Sequence, residues 1–246
     1  IELGDWEHLK PTLTRFRRQL PDGSSTFSRK SLAAKPGGTA RWVLDGAPSP
    51  LQREIEAVQP RFALVHYGTN DMLQKGTFES AAKAFNQDMS RLVKHLQGQG
   101  VLPIVTSITP REDHPEANGW IPLYNHSLRA LAQYHAIPYL NIHSAILSLP
   151  NKGRAEDKLH GNVFRVNSVA RPCFFGDDAL RYTYNVRNLL TVRLLDQLFR
   201  LVRGESQPLE EAEALEEGDE EKDTGWYSCW RRRWLKIAGG ITCCCT

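Results

Sequence analysis

The chain has 246 residues, of which 41% are hydrophobic, and a formal net charge of +3 at pH 7. This hydrophobic fraction excludes an intrinsically disordered chain, and the length suits one α/β domain of ordinary size. The small net charge does not by itself favour a nucleic-acid-binding protein. No apolar run approaches the roughly 20 residues that a membrane-spanning helix needs, and no signal peptide is visible.

Predicted helices and strands alternate along most of the chain. Apolar residues at helical spacing predict an amphipathic helix over residues 6–18. The same kind of pattern predicts, in chain order, a helix over 52–58, a strand over 62–66, a helix over 78–96, a strand over 101–107, a helix over 123–134, a strand over 137–142 and a helix over 185–202. Such alternation is typical of an α/β fold, in which helices cover both faces of a mostly parallel sheet as three layers.

A turn sequence, Gly68-Thr69-Asn70-Asp71, follows the strand predicted over residues 62–66. Open α/β sheets bind ligands at the carboxyl ends of their strands, where an amide can donate to a developing negative charge, as in an oxyanion hole. The same residue types are also common in turns that carry no chemistry. Taken alone, the segment favours an ordinary turn.

A carboxylate precedes an imidazole by three positions in Asp157-Lys158-Leu159-His160. On a tight loop, Asp157 could accept a hydrogen bond from Nδ1 of His160 and leave Nε2 facing a nucleophile as a general base. Pairs with this spacing also occur on protein surfaces and at helix starts, so the motif is weak by itself.

Together, the two motifs resemble blocks III and V of the SGNH, or GDSL-type, hydrolases. Further similarity, to a branch of the type seen in myxobacteria, lies in residues 27–34, 37–39 and 179–190. The resemblance implies a flavodoxin-like three-layer fold. It also implies a serine hydrolase, an esterase or lipase, that acts on acyl or acetyl esters without metal or cofactor. Its partner would be a small-molecule or carbohydrate ester substrate.

The resemblance also implies a role for each motif residue. In a Ser-His-Asp triad, His160 would be the base and Asp157 the group that orients it. Asn70 would donate to the oxyanion through its side chain, and Gly37 through its backbone N–H. For Gly37 an ordinary turn after Pro36 is an equal alternative.

The sequence departs from the family at the nucleophile. The family's Gly-Asp-Ser block is absent, since Gly4-Asp5 is followed by Trp6. The chain starts with Ile1 rather than Met, and we expect the first strand and its serine to be missing. The serines upstream of Gly37 are expected on a polar turn and a following strand, and none is assigned as nucleophile: Ser24, Ser25, Ser28 and Ser31. A catalytically inactive domain that binds carbohydrate or protein is the alternative function.

Two further features bear on the site. His66 and His143 end predicted strands and could suggest a metal site with Asp71 or Asp157. Because no His-x-x-x-His or Cys-x-x-Cys pair accompanies them, structural histidines are preferred and no metal is predicted. Residues 110–122 are expected to form a variable loop that shapes the substrate pocket.

The composition divides the chain into three parts. Residues 1–203 are the predicted hydrolase-like domain, residues 204–225 an acidic, solvated tail, and residues 226–246 a segment rich in Trp, Arg and Cys. The last segment could bind a membrane surface or single-stranded nucleic acid, but it also resembles out-of-frame or vector-derived sequence. Neither a nucleic-acid partner nor a membrane span is predicted, and the oligomeric state stays open.

Removal of all residues after Gly204 should leave the melting temperature nearly unchanged. The acidic segment has too few apolar side chains to offset its ordering entropy by burial. Calorimetry of the full and truncated chains measures the difference. A drop of more than a few degrees would show that the tail packs on the domain.

Overall fold

A three-stranded parallel sheet, in a computed structural model that describes residues 1–20 and 22–205, is the centre of the fold. Its strands lie in chain order: β1, Phe62–Val65; β2, Leu102–Thr106; and β3, Tyr139–Leu140. β1 pairs with β2 from Phe62 opposite Leu102 to Val65 opposite Val105. All five residues of β2 are buried, as a central parallel strand requires.

Helices surround this sheet. The α-helices are α1, Lys10–Phe16; α2, Ala40–Leu44; α3, Pro50–Val58; α4, Phe78–Gly98; α5, Pro115–Tyr134; α6, Ile142–Leu147; and α7, Thr183–Arg203. Short 3₁₀ helices lie at Gly4–Leu9, Asp71–Leu73, Pro150–Gly153 and Ala179–Arg181, and an antiparallel hairpin joins β4, Arg165–Val166, to β5, Val169–Ala170. The predicted α/β fold with a parallel sheet is confirmed. Within the described ranges, none of the helices has the length and apolarity to cross a bilayer.

The core forms where the two crossover helices meet the sheet. α4 connects β1 to β2, α5 connects β2 to β3, and both helices contact each other and β2. Phe85 of α4 and Tyr124 of α5 lie with ring centroids 4.9 Å apart in this core. α7 contacts β3, α6 and α1, and Leu189 and Val192 share a second apolar cluster with Leu13.

Local sequence signals explain where these helices begin and end. The side chains of Thr39, Ser49 and Thr77 each accept a hydrogen bond from the backbone N–H three residues on, so each caps the helix that follows it. α7 ends at Arg203, and the following Gly204 has a φ of 73°, the left-handed conformation common after a helix. Of the two predicted tails, residues 204–225 and 226–246, all but Gly204 and Glu205 lie outside the described residues.

The expected loop over residues 110–122 is wrong in its second half. α5 begins at Pro115, where proline suits the first helical turn, and Nδ1 of His114 accepts from the N–H of Ala117 at 3.2 Å. The helix then continues through Pro122, which the sequence pattern treats as a boundary. The loop after β2 is therefore short.

The strand expected ahead of Gly37 is also absent from the described residues. The segment over residues 27–34 forms turns, because it bonds to a side chain of α3 instead of to a neighbouring strand. Arg29 forms a bidentate ion pair with Glu54, and the N–H of Leu32 donates to the same carboxylate at 2.8 Å. Gly37 thus follows a series of turns. The strand expected over residues 137–142 is reduced to β3, and α6 starts at Ile142.

Gly68 permits a close approach after β1, and its replacement should be costly. Its φ is 123°, and a Cβ there would lie 2.2 Å from Cδ1 of the buried Ile108. We expect Gly68→Ala to lower the free energy of unfolding by about 1–3 kcal/mol through overpacking, in addition to the backbone strain. Urea unfolding measures this loss.

Gly100→Ala is the matched control, since Gly100 has a φ of 73° and nothing within 4 Å of the added Cβ. It should lose only the backbone contribution. Equal losses for the two variants would contradict a steric role of Gly68.

Candidate active site

Asn70 lies in the loop that follows β1 and begins the 3₁₀ helix at Asp71–Leu73. Its Nδ2 donates to the carbonyl oxygen of Gly38 at 3.0 Å, and its second N–H has no acceptor among the described residues. Gly37, the neighbour of Gly38, is exposed with a φ of 70°, and its N–H likewise has no acceptor in the part of the chain that the structure describes. The structure therefore brings the two predicted oxyanion donors into one neighbourhood.

The buried carboxylate of Asp71 joins the same two segments. It accepts from the N–H of Ala40 at 2.8 Å and from the N–H of Gly68 at 3.0 Å. Burial raises the pKa of Asp71 to about 6, although both backbone hydrogen bonds oppose that shift. Asp71 thus holds the start of α2, just after Gly37 and Gly38, against the loop that carries Asn70.

Asp157 and His160 form a hydrogen-bonded pair. Nδ1 of His160 lies 2.6 Å from Oδ2 of Asp157, and Oδ1 accepts from the backbone N–H groups of Leu159 and His160 at 3.0 and 2.9 Å. When Nδ1 carries the proton that it donates to the carboxylate, Nε2 keeps a lone pair and can act as a base. The side chain of His160 is 65% exposed, so Nε2 can be reached from solvent.

The hydrogen bonds at Asp157 also set its charge state. The bond from the His160 ring, followed by the two backbone bonds, lowers the pKa of Asp157 to about 2. The carboxylate is therefore ionised at neutral pH and can stabilise an imidazolium that forms on His160. The loop itself is closed by a bond from the N–H of Ala155 to the carbonyl oxygen of His160 at 2.9 Å.

Two hydrogen bonds join the loop of His160 to the loop of Asn70. Nη1 of Arg111 donates to the carbonyl oxygen of Thr69 at 2.9 Å, and the backbone N–H of Glu112 donates to the carbonyl oxygen of Lys158 at 2.8 Å. Arg111 and Glu112 follow β2, so these contacts lie at the carboxyl edge of the parallel sheet, where α/β proteins bind their ligands.

A groove of about 250 Å³ runs along the free edge of β1. Among the described residues, β1 pairs only with β2, and all four residues of β1 line this groove. Asn70 and Gly38 line one part of it, while Ala33, Glu54 and Leu64 line others. The groove therefore connects the open edge of the sheet to Asn70, one of the two predicted oxyanion donors.

No hydroxyl among the described residues hydrogen-bonds to His160. Each serine ahead of Gly37 bonds locally: Oγ of Ser24 to Asp22, the Oγ atoms of Ser25 and Ser28 to each other, and Oγ of Ser31 to the N–H of Ala33. His66 lies 2.5 Å from Oγ1 of Thr106, and His143 lies 3.0 Å from the carbonyl oxygen of Ile108. The described part of the chain contains no cluster of three potential metal ligands.

Sequence reasoning missed Arg111 and the acceptor role of Asp71. Arg111 is 3% exposed, and it forms a bidentate pair with Asp113 as well as its bond to Thr69. No motif or periodicity distinguishes this arginine from others in the sequence. Asp71 was visible as the last residue of the turn motif, but its partners at Ala40 and Gly68 appear only in the fold.

The profile of the GDSL-like lipase/acylhydrolase family matches residues 9–163 of this chain. The chain therefore belongs to that family, and it is an ester hydrolase by class. No curated protein is similar enough to the chain in sequence to count as a relative.

Several solved structures resemble the chain at low identity. A GDSL-like lipase from Bacteroides thetaiotaomicron is 18% identical, with a TM-score of 0.44 over 66% of this chain and 73% of that one. A lipase/acylhydrolase from Enterococcus faecalis is 15% identical, with a TM-score of 0.46 over 65% and 71%. A variant of an acetyl-xylooligosaccharide esterase from Geobacillus is 12% identical, with a TM-score of 0.47 over 65% and 68%.

The raised pKa of Asp71 predicts a pH-dependent stability. Because the folded state takes up this proton at about pH 6 and the unfolded state only near 3.8, the folded state binds more protons between those values. The contribution of Asp71 to the free energy of unfolding should therefore rise as the pH falls from 7 to 4, by up to about 3 kcal/mol.

Asp71→Asn should remove that rise, which urea unfolding at several pH values can measure as the difference between variant and parent. Asp196→Asn is the control, because Asp196 is a largely buried carboxylate paired with Arg200 on α7. If Asp71→Asn and Asp196→Asn change the pH profile alike, Asp71 is not the titrating group.

Proposed function

We propose that this domain hydrolyses acyl or acetyl esters through a Ser-His-Asp triad. The supporting observation is the bond between His160 and Asp157 on a loop that is tied to the loop of Asn70. A base held by a carboxylate, next to uncommitted N–H donors, is the arrangement that acyl transfer needs. Small-molecule and carbohydrate esters are the proposed substrate class.

The proposed reaction has two half-reactions. A serine oxygen attacks the ester carbonyl carbon while its proton moves to Nε2 of His160, and the carbonyl oxygen becomes an oxyanion. Asn70 Nδ2 and the N–H of Gly37 donate to that oxyanion, and Asp157 stabilises the imidazolium. His160 then protonates the leaving alcohol. Water repeats the sequence on the acyl-enzyme, which releases the acid and restores the serine.

We place the nucleophile in the groove beside β1. A strand paired with the free edge of β1 in parallel orientation would end near Asn70, at the carboxyl edge of the sheet. Ile1 lines a neighbouring cavity together with Leu64 and Arg187, so a segment joined to Ile1 can enter the groove directly. The proposed occupant is an apolar strand that ends in Gly-Asp-Ser.

The test compares this chain with a form extended before Ile1 by such a strand. With p-nitrophenyl acetate, we expect the extended form to turn over much faster. The present chain should retain only a residual acceleration, because His160 has no positioned hydroxyl to deprotonate. Replacement of the introduced serine by alanine should return the extended form to the residual rate.

In the extended form, His160→Ala should remove nearly all turnover. Asn70→Ala should lower kcat by about 10²- to 10³-fold, the usual loss for one oxyanion donor. His126→Ala, at an exposed histidine of α5, is the matched control and should leave the rate unchanged. Full turnover that survives His160→Ala would reject the triad, and the absence of ester hydrolysis in every form would favour the alternative of an inactive binding domain.

A further inference from the structure

The residue that joins the two halves of the candidate site is a buried arginine outside the triad and the oxyanion donors. Arg111 follows β2, and its guanidinium is almost fully enclosed. A buried guanidinium keeps its charge and must therefore be neutralised and hydrogen-bonded where it lies. The contacts of Arg111 show which parts of the fold it holds together.

One face of the guanidinium is bound to Asp113. Nε lies 2.9 Å from Oδ1, and Nη2 lies 2.5 Å from Oδ2, which is the bidentate geometry of a strong ion pair. Arg111 holds the pKa of Asp113 below its usual range through these bonds. The pair fixes the plane of the guanidinium, because the carboxylate occupies two of its donors at once.

The remaining arm of the guanidinium reaches the loop of Asn70. Nη1 donates to the carbonyl oxygen of Thr69 at 2.9 Å, one residue before Asn70. The backbone N–H of Arg111 donates to Oδ1 of Asn118 at 2.9 Å, which anchors the arginine to α5. Arg111 therefore links the loop of Asn70 to α5.

The next residue along the chain reaches the loop of His160. The N–H of Glu112 donates to the carbonyl oxygen of Lys158 at 2.8 Å, and the Glu112 carboxylate lies 3.0 Å from Nζ of Lys152. Lys158 stands between Asp157 and His160 in the turn that holds their bond. Arg111 and Glu112 thus contact the loop of Asn70 on one side and the loop of His160 on the other.

We infer that Arg111, held by Asp113, is a positioning residue that sets the separation between Asn70 and His160. The inference rests on the proposed function for its catalytic meaning, while the coupling itself can be observed in the chain without turnover. A displacement of about 1 Å between groups in an active site can cost about 10²-fold in rate. Among the described residues, no other hydrogen bond joins either of the two loops to residues 111–113.

The first experiment uses NMR on the full chain. Arg111→Lys keeps the charge but cannot bond to Asp113 and Thr69 with the same planar geometry, and Asp113→Asn keeps Arg111 but removes the paired carboxylate. We expect both variants to shift the side-chain amide signals of Asn70 and the ring signals of His160. Arg200→Lys, which alters the ion pair with Asp196 on α7, should shift neither.

The second experiment uses the extended form described above. Arg111→Lys should lower kcat at least 10-fold with little change in KM, because the groups that bind the substrate remain while their alignment with the base is lost. The Arg111→Lys and Asn70→Ala effects should be less than additive. Arg200→Lys should leave both constants unchanged.

The outcomes separate the two proposals. Shifts at both Asn70 and His160 support the positioning role even where no form hydrolyses esters, which would reject the proposed function alone. Shifts at only one of the two sites, at neither, or equally in Arg200→Lys would overturn the positioning role. A kcat unaffected by Arg111→Lys in an active enzyme would overturn it as well.

Discussion

Buried charge that has to be paired determines the shape of the candidate site. Asp71 and Arg111 are 4% and 3% exposed, and each has one partner nearby in sequence and one from another part of the chain. Asp71 accepts from Gly68 and Ala40, and Arg111 donates to Thr69 and Asp113. An unpaired buried charge costs several kcal/mol. Separation of the loop of Asn70 from either residue would therefore be strongly unfavourable. The loop is thereby fixed from both sides.

The loop that carries Asp157 and His160 forms for a different physical reason. The bonds from Leu159 and His160 to Asp157 span only two and three residues, so the turn can form from local sequence alone. Its side chains are largely exposed, and solvent screens the charge interaction between them. The site therefore combines the turn of Asp157 and His160, which forms locally, with the loop of Asn70, which only the folded core can position. Arg111 and Glu112 lie where these two kinds of structure meet.

This difference explains what the sequence predicts and what it does not. Three positions on a tight turn can bring Asp157 and His160 together whatever the rest of the chain does, and the resemblance to the family gives the pair its predicted roles. The contact between Arg111 and Thr69 spans 42 residues, and no spacing rule identifies it. The turns over residues 27–34 depend on Glu54, which is 25 residues from Arg29 and 22 from Leu32. The start of α5 was missed because Pro122 marks a boundary in short-range rules, while the cap at His114 outweighs it.

A strand paired with the free edge of β1 would affect both the completion of the sheet and the proposed chemistry. Parallel strands are stable when they are paired and covered, yet Phe62, Ala63 and Leu64 remain only half-buried beside the groove. A strand that paired there would bury these residues and satisfy the edge of β1. Because parallel strands end at the same edge of the sheet, the last residue of that strand would necessarily lie near Asn70. In the proposed enzyme, the interaction that completes the sheet is therefore also the one that delivers the nucleophile, and stability and activity should depend on the same strand.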